Sequence, residues 1–188
     1  MSQIDFPELI SIINATLPAC GKTRVIAIDG PAGSGKTTLS FALEAALHNL
    51  KVMTIHMDSL YRGWDDALTP TLTRNLENQI LKPLSLGKSA EYRVFDWFEM
   101  KSGSTVSFDA PEYLILEGVG AAQAVTRKYA NYLIWIDVAS ELGLKRVLAR
   151  DGQEIEAQMR NWQLIESDFF IRDNTRECAN LRIDGNLY

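Results

Sequence analysis

The sequence predicts an α/β fold in which a parallel sheet is covered by helices on both faces. Three observations carry that expectation. A β-branched run over 24–29 (RVIAID) passes directly into a glycine-rich turn and then a helix over 36–50, where Leu39, Leu43, Ala46, Leu47 and Leu50 share one face. Short apolar runs recur at 52–57, 113–116 and 132–138, with a weaker one at 181–183. Between them, helical periodicity marks 71–82, 121–129, 140–150 and 153–171, and a further helix is expected at 7–17. Strands that alternate with helices pair in parallel, because each crossover lays its helix back on the sheet.

The 188 residues are 46% hydrophobic and 23% charged, which suits one soluble domain over 1–188 with a core that needs no staples. Its N-terminal helix falls within 1–22. An insert over 58–112 interrupts the alternation, with 58–70 rich in turn formers and 83–112 read as loop or a small hairpin. Nineteen Lys and Arg against 24 Asp and Glu leave a net charge of −5, so no basic footprint for nucleic acid is present. Two cysteines, Cys20 and Cys178, are too few for a disulfide framework or a zinc site. The first 21 residues lack Lys and Arg and do not read as a secretory signal, and no apolar run approaches the ~20 residues of a membrane span. A cytoplasmic protein without membrane contact is expected, with a homo-oligomer left open. His48 and His56 are expected to be satisfied or at the surface.

Gly30, Pro31, Ala32, Gly33, Ser34, Gly35, Lys36 and Thr37 spell G-x-x-x-x-G-K-[ST] between the first strand and its helix. Glycines there permit left-handed backbone and close approach, so that loop N–H groups and the helix N-terminus converge on phosphate. Lys36 supplies charge for the β- and γ-phosphates, the Thr37 hydroxyl suits Mg²⁺, and Thr38 reaches toward the α-phosphate. No Asn/Thr-Lys-x-Asp guanine-reading motif occurs, so ATP with Mg²⁺ is the expected cofactor pair. This is a P-loop.

In an open α/β sheet, chemistry collects beyond the carboxyl ends of the strands. Asp58 follows the second apolar run and Glu117 the third, so both should face the loop. Glu117 is the expected Mg²⁺ partner beside Thr37. Asp58 is placed to take the proton of an acceptor hydroxyl. Tyr92, Phe95, Trp97 and Phe98 crowd one short segment, with Tyr61 and Trp64 expected on the same side. A planar ring stacked among them fits a nucleoside, with Asp96 or Arg62 binding hydroxyls or a base edge; packing of a hairpin on the domain is the alternative. Trp135 and Trp162 read as core or lid packing.

The segments Ala27–Thr38 (AIDGPAGSGKTT), Asp58–Arg62 (DSLYR), Leu116–Val119 (LEGV) and Lys145–Asp151 (KRVLARD) together resemble the uridine kinase family of P-loop kinases, which has phosphoribulokinase and pantothenate kinase relatives. The resemblance implies a five-stranded parallel sheet in the order 2-3-1-4-5. It implies that Asp58 is the acceptor base, that Tyr61 and Arg62 lie near the acceptor, and that Glu117 lies near Mg²⁺. It also implies that Arg146 and Arg150 belong to a lid over 145–170 that closes on the phosphates, and it sets Arg172 and Arg176 near the base. The acceptor segment departs from the family: Phe95 and Met100 stand where a Tyr and a His are usual, and the lid lacks the usual Gly-Arg after Asp151. The expected activity is transfer of the ATP γ-phosphate to a hydroxyl of a small molecule, a nucleoside first. The alternatives are a non-nucleoside acceptor, or a nucleotide-binding regulatory protein with weak ATPase activity.

Overall fold

The computed structural model describes residues 4–187, so residues 1–3 and 188 of the expected domain lie outside the description. Its strands are β1 (Arg24–Asp29), β2 (Val52–His56), β3 (Ala90–Asp96), β4 (Lys101–Phe108), β5 (Tyr113–Glu117), β6 (Tyr132–Asp137) and β7 (Leu181–Asp184). Five of them form one parallel sheet in the order β2-β5-β1-β6-β7, while β3 and β4 pair as a separate antiparallel hairpin. Leaving the hairpin aside, that is the expected order 2-3-1-4-5.

Alternation along β1 builds two cores. Ile26 and Ile28 face Leu9, Ile13, Leu39 and Leu43 of helices α1 (Phe6–Asn14) and α2 (Lys36–Ala46). Val25 and Ala27 face the opposite layer. That layer holds α3 (Pro70–Asn75), α4 (Lys82–Ser85), α5 (Ala124–Arg127), α6 (Ser140–Asp151) and α7 (Glu156–Asp173). Burial on both faces is what the unbroken apolar strands call for.

Several boundaries differ from expectation for identifiable reasons. α1 starts on an Asp5 side-chain cap that accepts the Glu8 N–H and stops at Asn14, short of 17. α2 gives way to a turn after Ala46. The helix expected at 71–82 runs from Pro70 to Ser85, but with a π-helical stretch over Leu76–Leu81. Pro83, which has no N–H and crowds the carbonyl four residues back, accounts for that widening. The helix expected at 121–129 shrinks to α5, because residues 118–123 are wrapped around a buried carboxylate described below. α7 begins at Glu156, after a 3₁₀ turn over Gln153–Ile155.

Candidate active site

A cleft of about 770 Å³ opens at the carboxyl ends of the strands. Its floor is the loop between β1 and α2. Gly33 and Gly35 have φ of +76° and +99°, and a Cβ on Gly33 would stand 2.3 Å from the Gly143 carbonyl oxygen. Only glycine lets the loop lie this close to α6. Lys36 is buried, and its Nζ donates to the Gly30 and Pro31 carbonyls at 2.8 Å each. Burial lowers its pKa, against the pull of Glu166, Asp29 and Glu117. The Thr37 hydroxyl donates to Glu117 Oε1 at 3.2 Å. Glu117, 4% exposed, also binds His56 Nδ1. The hydroxyl–carboxylate pair is thus in place at the loop edge, and its hard oxygen donors suit Mg²⁺.

Asp58 lies in the 3₁₀ turn after β2 and opens into the same cleft. The protein crowds its other sides, so desolvation raises its pKa, reinforced by Glu117 and opposed by His56. From α6, Arg146 donates to the Gly33 carbonyl at 3.2 Å, and Arg150 pairs with Asp151; both arginines line the cleft. A second hollow, of about 190 Å³, lies on the far side of the loop. Ile4, Leu39, Ile136 and Ile183 line it with Thr38 and Arg146, an apolar slot sized for part of a ring.

The side of the cleft expected to take the acceptor is aromatic. Tyr61, Trp97, Trp64 and Trp162 form a closed cycle of ring contacts, with centroids 6.4, 5.2, 5.7 and 5.8 Å apart in turn. At these spacings the rings pack on one another and leave no slot between them for a stacked base, which corrects that expectation. Two of their polar tips are also spent. Tyr61 OH donates to the Val119 carbonyl at 2.6 Å, and Trp97 Nε1 donates to the Asp58 carbonyl at 3.0 Å.

Three expected substrate residues fall outside the cleft lining. Arg62 is exposed. Phe95 packs edge-on against Trp97. Asp96 accepts the Phe98 and Glu99 N–H groups and so caps the hairpin turn. Tyr61 lines the cleft by its ring, while its hydroxyl is committed to the backbone. Arg176 is bound to Asp137 and Glu177, and Arg172 to the Asp168 carbonyl.

Sequence reasoning passed over two residues, Asp29 and Glu166. Asp29, fully buried, accepts the N–H groups of Gly30, Gly120 and Ala122, and burial still lifts its pKa to about 6. Its signal was the single acid closing an apolar strand. His56, expected to be satisfied or at the surface, is satisfied by Glu117. Glu166, 3% exposed on α7, takes the Ala32 N–H of the loop.

A parallel sheet in this order, a phosphate loop at its first strand and two carboxylates facing it define a P-loop kinase. The chain belongs to the uridine kinase family. It is 30% identical over 149 residues to a uridine kinase of Staphylococcus epidermidis, covering 71% of this chain and 70% of that one. A uridine kinase of Macrococcus caseolyticus is 28% identical over 146 residues, with 71% of each chain covered. No family model matches the chain. Among solved structures, a candidate fructose transport system kinase from Silicibacter sp. TM1040 superposes with a TM-score of 0.73 at 17% identity, covering 96% of this chain and 99% of that one. A candidate uridine kinase from Bacillus stearothermophilus gives 0.63 at 17% identity, covering 94% and 100%. Both show the fold.

Proposed function

We propose that the protein transfers the γ-phosphate of ATP, taken as its Mg²⁺ complex, to a hydroxyl of a small molecule, with a nucleoside as the first acceptor class. The observation that carries this reading is the Thr37–Glu117 contact with Asp58 opening beside it in one cleft. Thr37 and Glu117 would hold Mg²⁺, which when bound neutralises phosphate charge. Loop N–H groups and Lys36 orient the phosphates. Asp58 accepts the proton of the attacking hydroxyl at its carboxylate, and its raised pKa strengthens it as a base. Arg146 and Arg150 stand at the mouth to screen charge on the transferred group. The hollow lined by Ile4 and Ile183 suits the base of the nucleotide.

Because the Tyr61 and Trp97 tips are bonded to backbone carbonyls, the acceptor's planar part packs against one outer face of the cluster and is read mainly by shape. That same observation favours a second reading, a kinase for an alcohol without a nucleobase.

The test is ADP release from Mg-ATP across nucleosides, N3-methyluridine, pantothenate and sugar alcohols. Acceptor-dependent turnover that falls about 10²–10⁴-fold in Asp58→Asn, with ATP affinity kept, supports the reading. ATP affinity that falls with turnover assigns Asp58 to the metal instead. A nucleoside rate that survives N3-methylation supports reading by shape. Turnover only with the other alcohols selects the second reading, and none with any acceptor overturns the kinase assignment.

A further inference from the structure

The buried face of α7 is a stripe of Met159, Trp162, Glu166 and Phe170 at helical spacing, three apolar side chains and one carboxylate. An apolar residue at 166 would continue the stripe. A carboxylate there costs free energy unless it is bonded. Local rules broken in this way, at this depth, mark a function.

Glu166 meets the phosphate loop. Its two carboxylate oxygens lie 3.2 and 3.0 Å from the Ala32 nitrogen and accept that N–H. Trp162 adjoins it on α7, and Lys36 and Asp29 are the charged groups facing it from the loop and from β1. Burial lifts its pKa to about 7, against the pull of Lys36. One residue further along the loop, the Gly33 carbonyl accepts from Arg146 of α6, and Gly33 lies directly against Gly143. The start of the loop is therefore gripped from both helices of the lid region.

We propose that Glu166 is a positioning residue: it tethers α7 to Ala32, so that the phosphate loop is formed before nucleotide arrives and the α7 end of the lid stays fixed. Closure is then left to the turn over 152–155, which carries Gly152 at φ +107°. The inference rests on the proposed ATP site only for its second readout.

Two measurements test it on wild type, Glu166→Ala and Glu166→Gln. The first is amide exchange of residues 30–37 in nucleotide-free protein, and the second is calorimetric affinity for Mg-ATP. Glu166→Ala is expected to expose the loop to exchange and to weaken ATP about tenfold, the size of one lost hydrogen bond to a charged group. Glu166→Gln, whose amide oxygen still accepts the Ala32 N–H, is expected to recover both to within about threefold. Should Glu166→Ala fail to fold, Glu166→Met fills the volume without accepting and takes its place. Wild-type loop exchange and ATP affinity in the truncated variant overturn the tether. So does a Gln variant that falls as far as Ala, since charge alone would then act. A wild type that binds no ATP sinks the nucleotide assignment, while loop exchange still decides the tether.

Discussion

On the loop side of the cleft the ligand-facing groups are mostly backbone N–H, set by glycine angles and one lysine. On the acceptor side they are ring faces from three segments far apart in sequence: 61–64, 97 and 162. The first kind of surface is local, being eight consecutive residues with a geometry of their own. The second exists only once the hairpin β3–β4 and α7 have folded against the turn after β2. On the proposed reading, the loop side takes a feature shared by every nucleoside triphosphate, and the acceptor side carries what is particular to this chain.

Lys36→Met should show how strongly the loop side depends on a single charge. Turnover is expected to fall about 10²–10³-fold, as when one preorganised donor to developing charge is removed, with the acceptor KM unchanged. A change confined to the acceptor KM would break the division of labour between the two sides.

Trp64→Ala addresses the other half. Trp64 contacts both Trp97 and Trp162, so its loss opens the ring cycle at two joints. The acceptor KM should rise about tenfold from lost packing, with the ATP KM held. Trp162 also adjoins Glu166, so an equal loss of ATP affinity would mean that the aromatic cluster props up the loop and that the two halves are one unit.

A pH titration sharpens the contrast within α7. Glu166 is pushed up to about 7 in the folded protein, above the ordinary glutamate range of about 4.3. A carboxyl raised in this way contributes stability in its neutral form. The contribution is full below about pH 4 and is lost as pH rises through about 7. Asp29 titrates in the same direction in every variant and faces Glu166, so the difference reads Glu166 together with its coupling to Asp29. Measured by thermal melting, Glu166→Gln should gain on wild type by several degrees between pH 4 and pH 8. A constant gap across that range would mean that Glu166 does not titrate there.

Legibility in the sequence followed the same line. The five parallel strands and their order could be anticipated because each strand is an apolar run and each crossover a helix. Thr37, Glu117 and Asp58 could be placed because strand ends and the loop fix them. Glu166 was hidden inside a helix whose amphipathic period it interrupts only once, and the fact that it faces Ala32 depends on a contact 134 residues apart. Asp96 was misread because a turn-capping acid and a ribose-binding acid look identical in one dimension. Arg62 sits where the family resemblance puts a substrate contact, yet the turn after β2 points it to solvent.

Tyr61 gives the finest test of the acceptor side, because resemblance and geometry assign it different work. The resemblance puts it beside the acceptor, while the structure commits its hydroxyl to the Val119 carbonyl at 2.6 Å, next to the Gly118 turn after β5. Desolvation raises its pKa well above the usual range, so the hydroxyl is a donor and not a base. Tyr61→Phe should cost about 1 kcal/mol from the carbonyl left without its partner, a fall of roughly 2–4 °C in Tm. The acceptor KM should stay within twofold, since the ring face that lines the cleft is unchanged. An acceptor KM that rises tenfold while Tm holds would mean that the hydroxyl leaves Val119 for the substrate, and that Tyr61 donates to the acceptor.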